Sequence, residues 1–413
     1  MKLSNDAKNA VMIGTLCSVS YLAVYFARNI LSAVTPQMVE GGKFTVEYIG
    51  VVSSLYFIFY AIGQLINGMI GDKIKAKYMI SFGLIFAGVT NLIFPYFLHY
   101  QSAAKFIYGM TGFFLSMIYG PMTKVVAENT NPIHTVRCSL GYEVASLLGS
   151  PFAGIIASLI VWNSVFVVGS ITLFVMGGLC ILFFTYFEKK KIVQYGQFER
   201  VKTEINKDKS FIGKLGILVK HRIIIFSLVS IITGVIRTTV VFWLPTYFSQ
   251  YLGYDTQTAP RIFTIATLVI SLSAFVAIFV YERLKRNMDI TMLIMFTLSS
   301  IFFLGVYFIS NSMINVIFIV LAVLTSNCSA TMLWSRYCPS LRDTGMVSSA
   351  TGFLDFLSYM AAAASSTIFA NSVNTIGWGK LILVWALLMA FGTILMIPYK
   401  TIINKIKAYK KAM

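Results

Sequence analysis

The stretch YLAVYFARNILSAVTP at residues 21–36 places an arginine, Arg28, deep inside an apolar run that ends at Pro36. A second stretch, IITGVIRTTVVFWLP at residues 231–245, repeats the arrangement, with Arg237 at the same distance from a proline. An arginine in the hydrocarbon of a bilayer costs about 2.5–3.5 kcal/mol even on a lenient insertion scale, so such a residue marks a functional site by default. Two arginines at matched positions indicate one site built from two similar halves.

The composition is that of a membrane protein. Hydrophobic residues make up 57% of the 413 residues and charged residues 12%, against about 25% charged in soluble domains, and the mean hydropathy is +0.79. Apolar segments of the roughly 20 residues needed to cross a bilayer begin near residues 11, 46, 78, 101, 137, 163, 222, 258, 289, 312, 343 and 378. The first is too long for a signal peptide and lacks a small-residue cleavage site. We therefore predict an all-α membrane protein with twelve transmembrane helices.

The net charge of +18 is distributed unevenly across the predicted membrane. When the N-terminus is placed in the cytoplasm, the opposite side carries only Lys43, Lys105, Arg261 and Lys380. This asymmetry follows the positive-inside rule. It predicts a multi-pass protein of the cell (inner or plasma) membrane with both termini cytoplasmic, and it argues against nucleic acid as a partner.

The chain divides into two halves of one design. Superposing Arg28 on Arg237 shifts the chain by about half its length. We predict an N-terminal six-helix bundle at 1–187, a basic cytoplasmic linker at 188–221 and a C-terminal six-helix bundle at 222–413, related by pseudo-symmetry. Parallel repeats of this kind are typical of transporters whose substrate site lies between the halves near the bilayer midplane.

Several function classes are disfavoured. The chain contains no Gly-x-x-x-x-Gly-Lys-Ser/Thr nucleotide-binding loop. Its five cysteines are odd in number and show no metal-ligand spacing, so we interpret them as packing residues. We predict neither metal nor cofactor, and no catalytic residue, because a carrier driven by a gradient performs no covalent chemistry.

One loop carries a family resemblance. The segment Gly68-Met-Ile-Gly-Asp72-Lys73-Ile-Lys-Ala-Lys77, between the second and third predicted helices, resembles the Gly-x-x-x-Asp-Arg/Lys loop of the major facilitator superfamily. The resemblance implies a major facilitator fold with a cytoplasmic gate formed by Asp72 and Lys73. A carboxylate that pairs with basic groups in one state and releases them in the other biases a two-state equilibrium.

Within that superfamily the chain is similar to the organophosphate:inorganic phosphate antiporter branch, which includes carriers of glycerol 3-phosphate and hexose phosphates. The resemblance rests on Arg28 and Arg237, on the residues around them and on the segments Trp243–Tyr247, Gly112–Pro121 and Gly352–Tyr359. It implies that the two arginines hold a phosphoryl group from opposite halves. It also implies that tyrosines line the cavity, namely Tyr21, Tyr25, Tyr60 and Tyr359.

The residues themselves support anion recognition. Tyr21, Tyr25 and Arg28 are spaced to share one helix face. The planar guanidinium suits bidentate binding of phosphate or carboxylate. We therefore expect a small anionic substrate, and we expect the lipid bilayer to surround a monomer.

Two departures leave another substrate class open. The branch tends to have a lysine on its second helix where this chain has Gln64, and a histidine on its fifth helix where this chain has residues 141–146. Two intramembrane carboxylates, Glu143 and Asp355, follow the two arginines at similar spacing. We hypothesise the pairs Arg28 with Glu143 and Arg237 with Asp355, which either neutralise the arginines or relay a proton.

Three functions follow. The first is exchange of an organophosphate, such as a sugar phosphate or glycerol phosphate, for inorganic phosphate. The second is proton-coupled symport of a carboxylate or sugar acid. The third is a transporter-like sensor that binds its ligand and signals through its cytoplasmic surface. Asn327, on the tenth predicted helix, could contact the cavity, but packing is the favoured interpretation.

Overall fold

The computed structural model describes residues 4–42, 44–71, 74–195, 218–341 and 347–397, and the regular structure in these ranges is helical. The helices are α1 Asn5–Glu40, α2 Val46–Gly71, α3 Ala76–Ile93, α4 Gln101–Leu115, α5 Tyr119–Asn129, α6 Pro132–Leu159, α7 Trp162–Lys189, α8 Ile223–Gly234, α9 Val241–Gln250, α10 Thr258–Ser271, α11 Ser273–Arg283, α12 Met288–Phe308, α13 Ser312–Met332, α14 Cys338–Ser340 and α15 Val347–Met396. Two π-helical turns, Val235–Val240 and Leu333–Tyr337, follow α8 and α13.

The predicted number of membrane crossings is confirmed. Ten helical stretches among the described residues are long and apolar enough to cross a bilayer. One of them is a 47-residue stretch that a break divides into two crossings, and α4 with α5 supplies another. The observed helix starts differ most from the predicted ones at the first and fifth crossings. There Ser4 and Asn131 cap α1 and α6 upstream of the apolar runs.

The break in α15 is a reversal of the chain at Gly377. This residue has φ 77° and ψ 164°, a conformation that is essentially restricted to glycine. Phe369 and Trp385 stack on either side of it with ring centroids 5.4 Å apart. In one straight helix these two residues would be separated by about 24 Å. The two parts of α15 are therefore antiparallel crossings, the eleventh and the twelfth.

Replacing Gly377 by alanine is expected to destabilise the fold by about 1–3 kcal/mol, because a Cβ is strained in this backbone conformation. Thermal unfolding of the purified protein in detergent would measure the loss. Gly379→Ala is the matched control, since its added Cβ would meet nothing closer than 3.6 Å. Equal melting temperatures for the two variants would contradict the prediction.

Close helix contacts within each half occur at glycines. In the N-terminal half α1 packs on α6, and a Cβ at Gly149 would lie 2.4 Å from the Cβ of Tyr25. In the C-terminal half α8 packs on α15, and a Cβ at Gly234 would lie 2.4 Å from the hydroxyl of Ser358. The first and fifth helices of each half are thus neighbours, as the hypothesis of arginine–carboxylate pairs requires.

The two halves meet mainly along α2 with α15 and along α6 with α10. Ser53 and Ser366 are hydrogen-bonded at 2.5 Å, and Ser54 donates to the carbonyl of Ala363 at 2.7 Å. Ser32 on α1 donates to the carbonyl of Phe242 on α9. All of these contacts lie toward the end of the bundle at which α1 ends. We call this end the closed end.

The opposite end of the bundle carries ion pairs within each half. Lys75 and Lys77 both bind Glu188 at the end of α7, the Lys75 contact measuring 2.6 Å. This hydrogen bond raises the pKa of Lys75 above its ordinary value. Arg222 binds Asp289 at 2.7 Å, which ties the start of α8 to the start of α12.

Some predicted features lie outside the described residues. Of the predicted linker, the structure describes only the part that follows α7, up to residue 195, and the part that precedes α8, from residue 218. The predicted gate residues Asp72 and Lys73 also fall outside. All five cysteines are described, and they are buried with free thiols, which is consistent with packing residues.

Candidate substrate site

Arg28 and Arg237 line one cavity between the two halves. The cavity has a volume of about 660 Å³, including space open to solvent. Its lining residues come from both halves, namely Tyr25, Arg28, Asn29, Phe57, Ser146, Leu147, Ser150, Arg237, Thr238, Val241, Phe242, Thr267, Ile270, Ser271 and Asn327. On α1 the lining residues precede Ser32, which makes the closed-end contact with Phe242, so this part of the cavity wall lies further into the bundle than that contact.

Arg28 is enclosed by aromatic rings. Its guanidinium carbon lies 5.1 Å from the ring centroid of Tyr25, 5.7 Å from Phe57, 5.4 Å from Tyr60 and 4.9 Å from Tyr359. A cation over an aromatic face gains about 2 kcal/mol or more when water is excluded. The Arg28 Nη1 atom also donates a 2.8 Å hydrogen bond to the Tyr359 hydroxyl. Because Tyr359 belongs to the C-terminal half, this hydrogen bond joins the two halves beside the cavity.

Arg237 lies in the π-helical turn between α8 and α9. Such turns are rare and occur frequently at functional sites, because the extra residue in the turn redirects side chains. Thr239 in the same turn shares a 2.6 Å hydrogen bond with Ser365 of α15 and donates to the carbonyl of Ala362. The turn that presents Arg237 to the cavity is thus held against the neighbouring helix.

The four predicted tyrosines occupy different places. Tyr25 lines the cavity. Tyr60 and Tyr359 are outside the set of lining residues given above, but both rings contact Arg28, and their centroids are 4.7 Å apart. Tyr21 packs against Tyr25 and Tyr119 at centroid distances of 4.9 and 5.6 Å.

Of the two predicted carboxylates, the structure describes the side chain of Asp355 but not that of Glu143. Glu143 lies on α6. Asp355 is half-buried on α15, next to Leu354, whose carbonyl accepts a 2.7 Å hydrogen bond from Ser230 on α8. Asp355 precedes Tyr359 by four residues and so lies on the same face of the helix. The helix of Asp355 therefore contacts α8, which leads to Arg237, and also carries Tyr359, which binds Arg28.

Small polar residues complete the wall, and the sequence interpretation missed them. Ser146 with Ser150 on α6, and Thr267 with Ser271 on α10, are spaced four residues apart and so share one face of each helix. This spacing within apolar runs is the signal that could have identified them. Asn327, for which the sequence favoured packing over cavity contact, is also on the cavity wall.

This arrangement defines a class of protein. Two bundles of membrane-crossing helices surround a central cavity, and an arginine from each bundle reaches that cavity, as in a transporter that binds its substrate between two halves. The family model of the Major Facilitator Superfamily matches residues 17–366. The chain belongs to the Major Facilitator Superfamily and is a multi-pass membrane transporter.

Curated relatives match shorter parts of the chain. It is 32% identical over 76 residues to the membrane sensor protein UhpC of Salmonella typhimurium, which is 18% of this chain and 17% of that protein. It is 27% identical over 74 residues to a probable hexose phosphate transport protein of Chlamydia trachomatis, covering 18% of this chain and 16% of that protein. An uncharacterized MFS-type transporter of Methanocaldococcus jannaschii is 27% identical over 186 residues, covering 44% and 45% of the two chains.

Solved structures match the whole fold. A crystal structure of a D-xylose-proton symporter superposes with a TM-score of 0.72 and 13% identity, covering 94% of this chain and 97% of that one. The inward open conformation of the xylose transporter XylE from E. coli gives a TM-score of 0.70 at 12% identity, covering 94% and 96%. At these identities the likeness concerns the fold alone.

Proposed function

We propose that this protein exchanges an organophosphate for inorganic phosphate by alternating access. The observation that carries the proposal is that Arg28 and Arg237, from opposite halves, line one cavity. A phosphoryl group bears a charge of about −1.5 to −2 near neutral pH and has three acceptor oxygens, so it can engage two guanidinium groups at once. The Chlamydia trachomatis relative is named a probable hexose phosphate transport protein, which supports the same substrate class.

The charge of the site also supports exchange. Reorienting the two halves without an anion would move positive charge through a medium of low dielectric constant, where it is costly. A bound anion lowers that cost in both directions. Exchange of one phosphate compound for another therefore needs neither ATP nor a proton.

The distribution of basic residues orients the protein. We place both termini in the cytoplasm and the chain in the inner or plasma membrane, following the positive-inside rule. The closed end is then extracytoplasmic, and the cavity beneath it belongs to an inward-facing state. In the outward-facing state the contacts of α2 with α15 and of α6 with α10 separate.

A specific observation favours each of the two alternatives. Proton coupling draws support from Asp355, a half-buried carboxylate on the same helix face as Tyr359, the tyrosine bound to Arg28. A sensor role draws support from the name of the membrane sensor protein UhpC, to which part of the chain is similar. Both alternatives keep the cavity as a binding site for an anion.

Reconstituted liposomes loaded with phosphate separate the three functions. We expect labelled phosphate to enter by counterflow and an external organophosphate to compete with it, without a requirement for a pH gradient. Uptake that requires a pH gradient and loses this requirement in Asp355→Asn would replace exchange with proton coupling. Binding measured by a ligand-dependent rise in unfolding temperature, with no flux in either assay, would instead identify a sensor.

A further inference from the structure

The cavity wall has a second polar region besides the arginines. Thr238, Thr267, Ser271 and Asn327 come from α10, α13 and the π-helical turn, all in the C-terminal half. None of these four side chains is charged. A substrate held by its anionic group at the arginines would direct the rest of its body toward such neutral groups.

Asn327 is the residue of this region whose polar group most needs a partner. Its side chain is 7% exposed, and its Oδ1 atom is buried with no hydrogen-bond partner among the described residues. A buried polar group left unpaired costs about 1–3 kcal/mol. Such groups are uncommon in native structures and call for an explanation. Because Asn327 also lines the cavity, a bound substrate is the partner that the geometry offers.

The neighbouring hydroxyl groups are available to accept hydrogen bonds. Thr267 donates its proton to the carbonyl of Phe263 at 2.7 Å, and Ser271 donates to that of Leu268 at 2.7 Å. A hydroxyl that donates to its own helix keeps lone pairs for another donor. This part of the wall therefore suits groups that donate hydrogen bonds, and it disfavours a second negative charge.

We infer that Asn327 determines specificity for the organic part of the substrate by hydrogen-bonding its hydroxyl groups. The inference rests on the proposed function, since the arginines take the phosphoryl group. The carboxamide both donates and accepts, so it pairs with a sugar hydroxyl in either role. A site that hydrogen-bonds a substrate hydroxyl discriminates strongly against an analogue that lacks it, because its own buried polar group is then left unpaired. The site therefore selects a substrate whose organic part is neutral and carries hydroxyl groups.

The test compares two competitors of equal charge in phosphate counterflow. One is a hexose phosphate, and the other is butyl phosphate, whose body has no hydroxyl. We expect the wild-type protein to prefer the hexose phosphate. In Asn327→Ala the ratio of the two half-inhibitory concentrations should shift about three- to tenfold toward butyl phosphate, the effect of one lost hydrogen bond.

Thr325→Ala is the matched control. Thr325 is buried on the same helix, and its hydroxyl donates to the carbonyl groups of Leu321 and Ala322, away from the cavity. We expect the competitor ratio of this variant to equal that of the wild type. If Asn327→Ala is poorly folded, Asn327→Ser, which restores a small polar group, should give an intermediate ratio.

The outcomes distinguish failure of the proposed role of Asn327 from failure of the proposed function. Phosphate exchange with equal competition by the two compounds in the wild type would overturn the role of Asn327 and leave the proposed function standing. The same holds if Asn327→Ala weakens both competitors equally. Absence of phosphate exchange by the wild type would overturn the proposed function and this inference together.

Discussion

Substitution of either Arg28 or Arg237 by alanine is expected to reduce phosphate exchange at least about 30-fold. Removing one partner of a buried, hydrogen-bonded charge pair costs about 2–5 kcal/mol, and each 1.4 kcal/mol corresponds to a factor of ten. Lysine at either position should restore only part of the activity, because an ammonium group lacks the planar fork that binds two phosphate oxygens. Counterflow in liposomes measures both effects.

Loss of Arg28 should also lower stability. Arg28 is enclosed by four aromatic rings and bound to Tyr359 across the halves. We therefore expect Arg28→Ala to lower the unfolding temperature of the purified protein. Arg261→Ala, at an exposed position on α10, is the control and should leave exchange intact. Full exchange by Arg28→Ala or Arg237→Ala would refute the anion site.

Placing valine at Gly50 is expected to force the closed end apart. A Cβ at this position would lie 2.2 Å from the Cβ of Ala370 and 3.3 Å from the carbonyl of Ser366, both in the other half. Ordinary carbon contacts are about 3.5–4.0 Å, so the halves must separate or the helices must shift. Overpacking costs about 1–3 kcal/mol, which would shift the equilibrium between states about 5- to 150-fold. Exchange should slow accordingly.

Overpacking should have the same effect on the contact of α6 with α10. A Cβ at Gly154 would lie 2.3 Å from the hydroxyl of Thr264. Spin labels at the exposed positions Glu40 and Gln257, one in each half at the closed end, would report the separation. We expect a longer distance in Gly50→Val and Gly154→Val. Gly178→Val is the control, because its added Cβ meets nothing within 4 Å. Unchanged distances in both variants would mean that the contacts do not hold this end closed.

The helices were predictable because the bilayer imposes a strong local rule. A crossing needs about 20 apolar residues with its backbone hydrogen bonds satisfied internally, and the starts of α2, α4, α10 and α13 agree with the sequence prediction. The starts of α1 and α6 were placed too late, because capping by Ser4 and Asn131 depends on side-chain geometry.

The site was predictable only in part. Arg28 and Arg237 stood out because a charge in an apolar run is costly, and the structure brings both to one cavity. The contact of Arg28 with Tyr359 joins residues on the first and eleventh crossings, and no local pattern predicts such a pair. For Asn327 the sequence favoured packing over cavity contact, because a single asparagine on an apolar helix has no pattern of its own.

By itself the sequence determined that this protein crosses a membrane twelve times, that its halves repeat one design and that each half carries an arginine. These properties depend on hydropathy and charge, which act residue by residue. Only the tertiary structure decided which side chains share the cavity, which end of the bundle is closed and how Arg237 is presented. Those properties depend on contacts between helices distant in sequence and on the π-helical turn, whose formation depends on packing against α15.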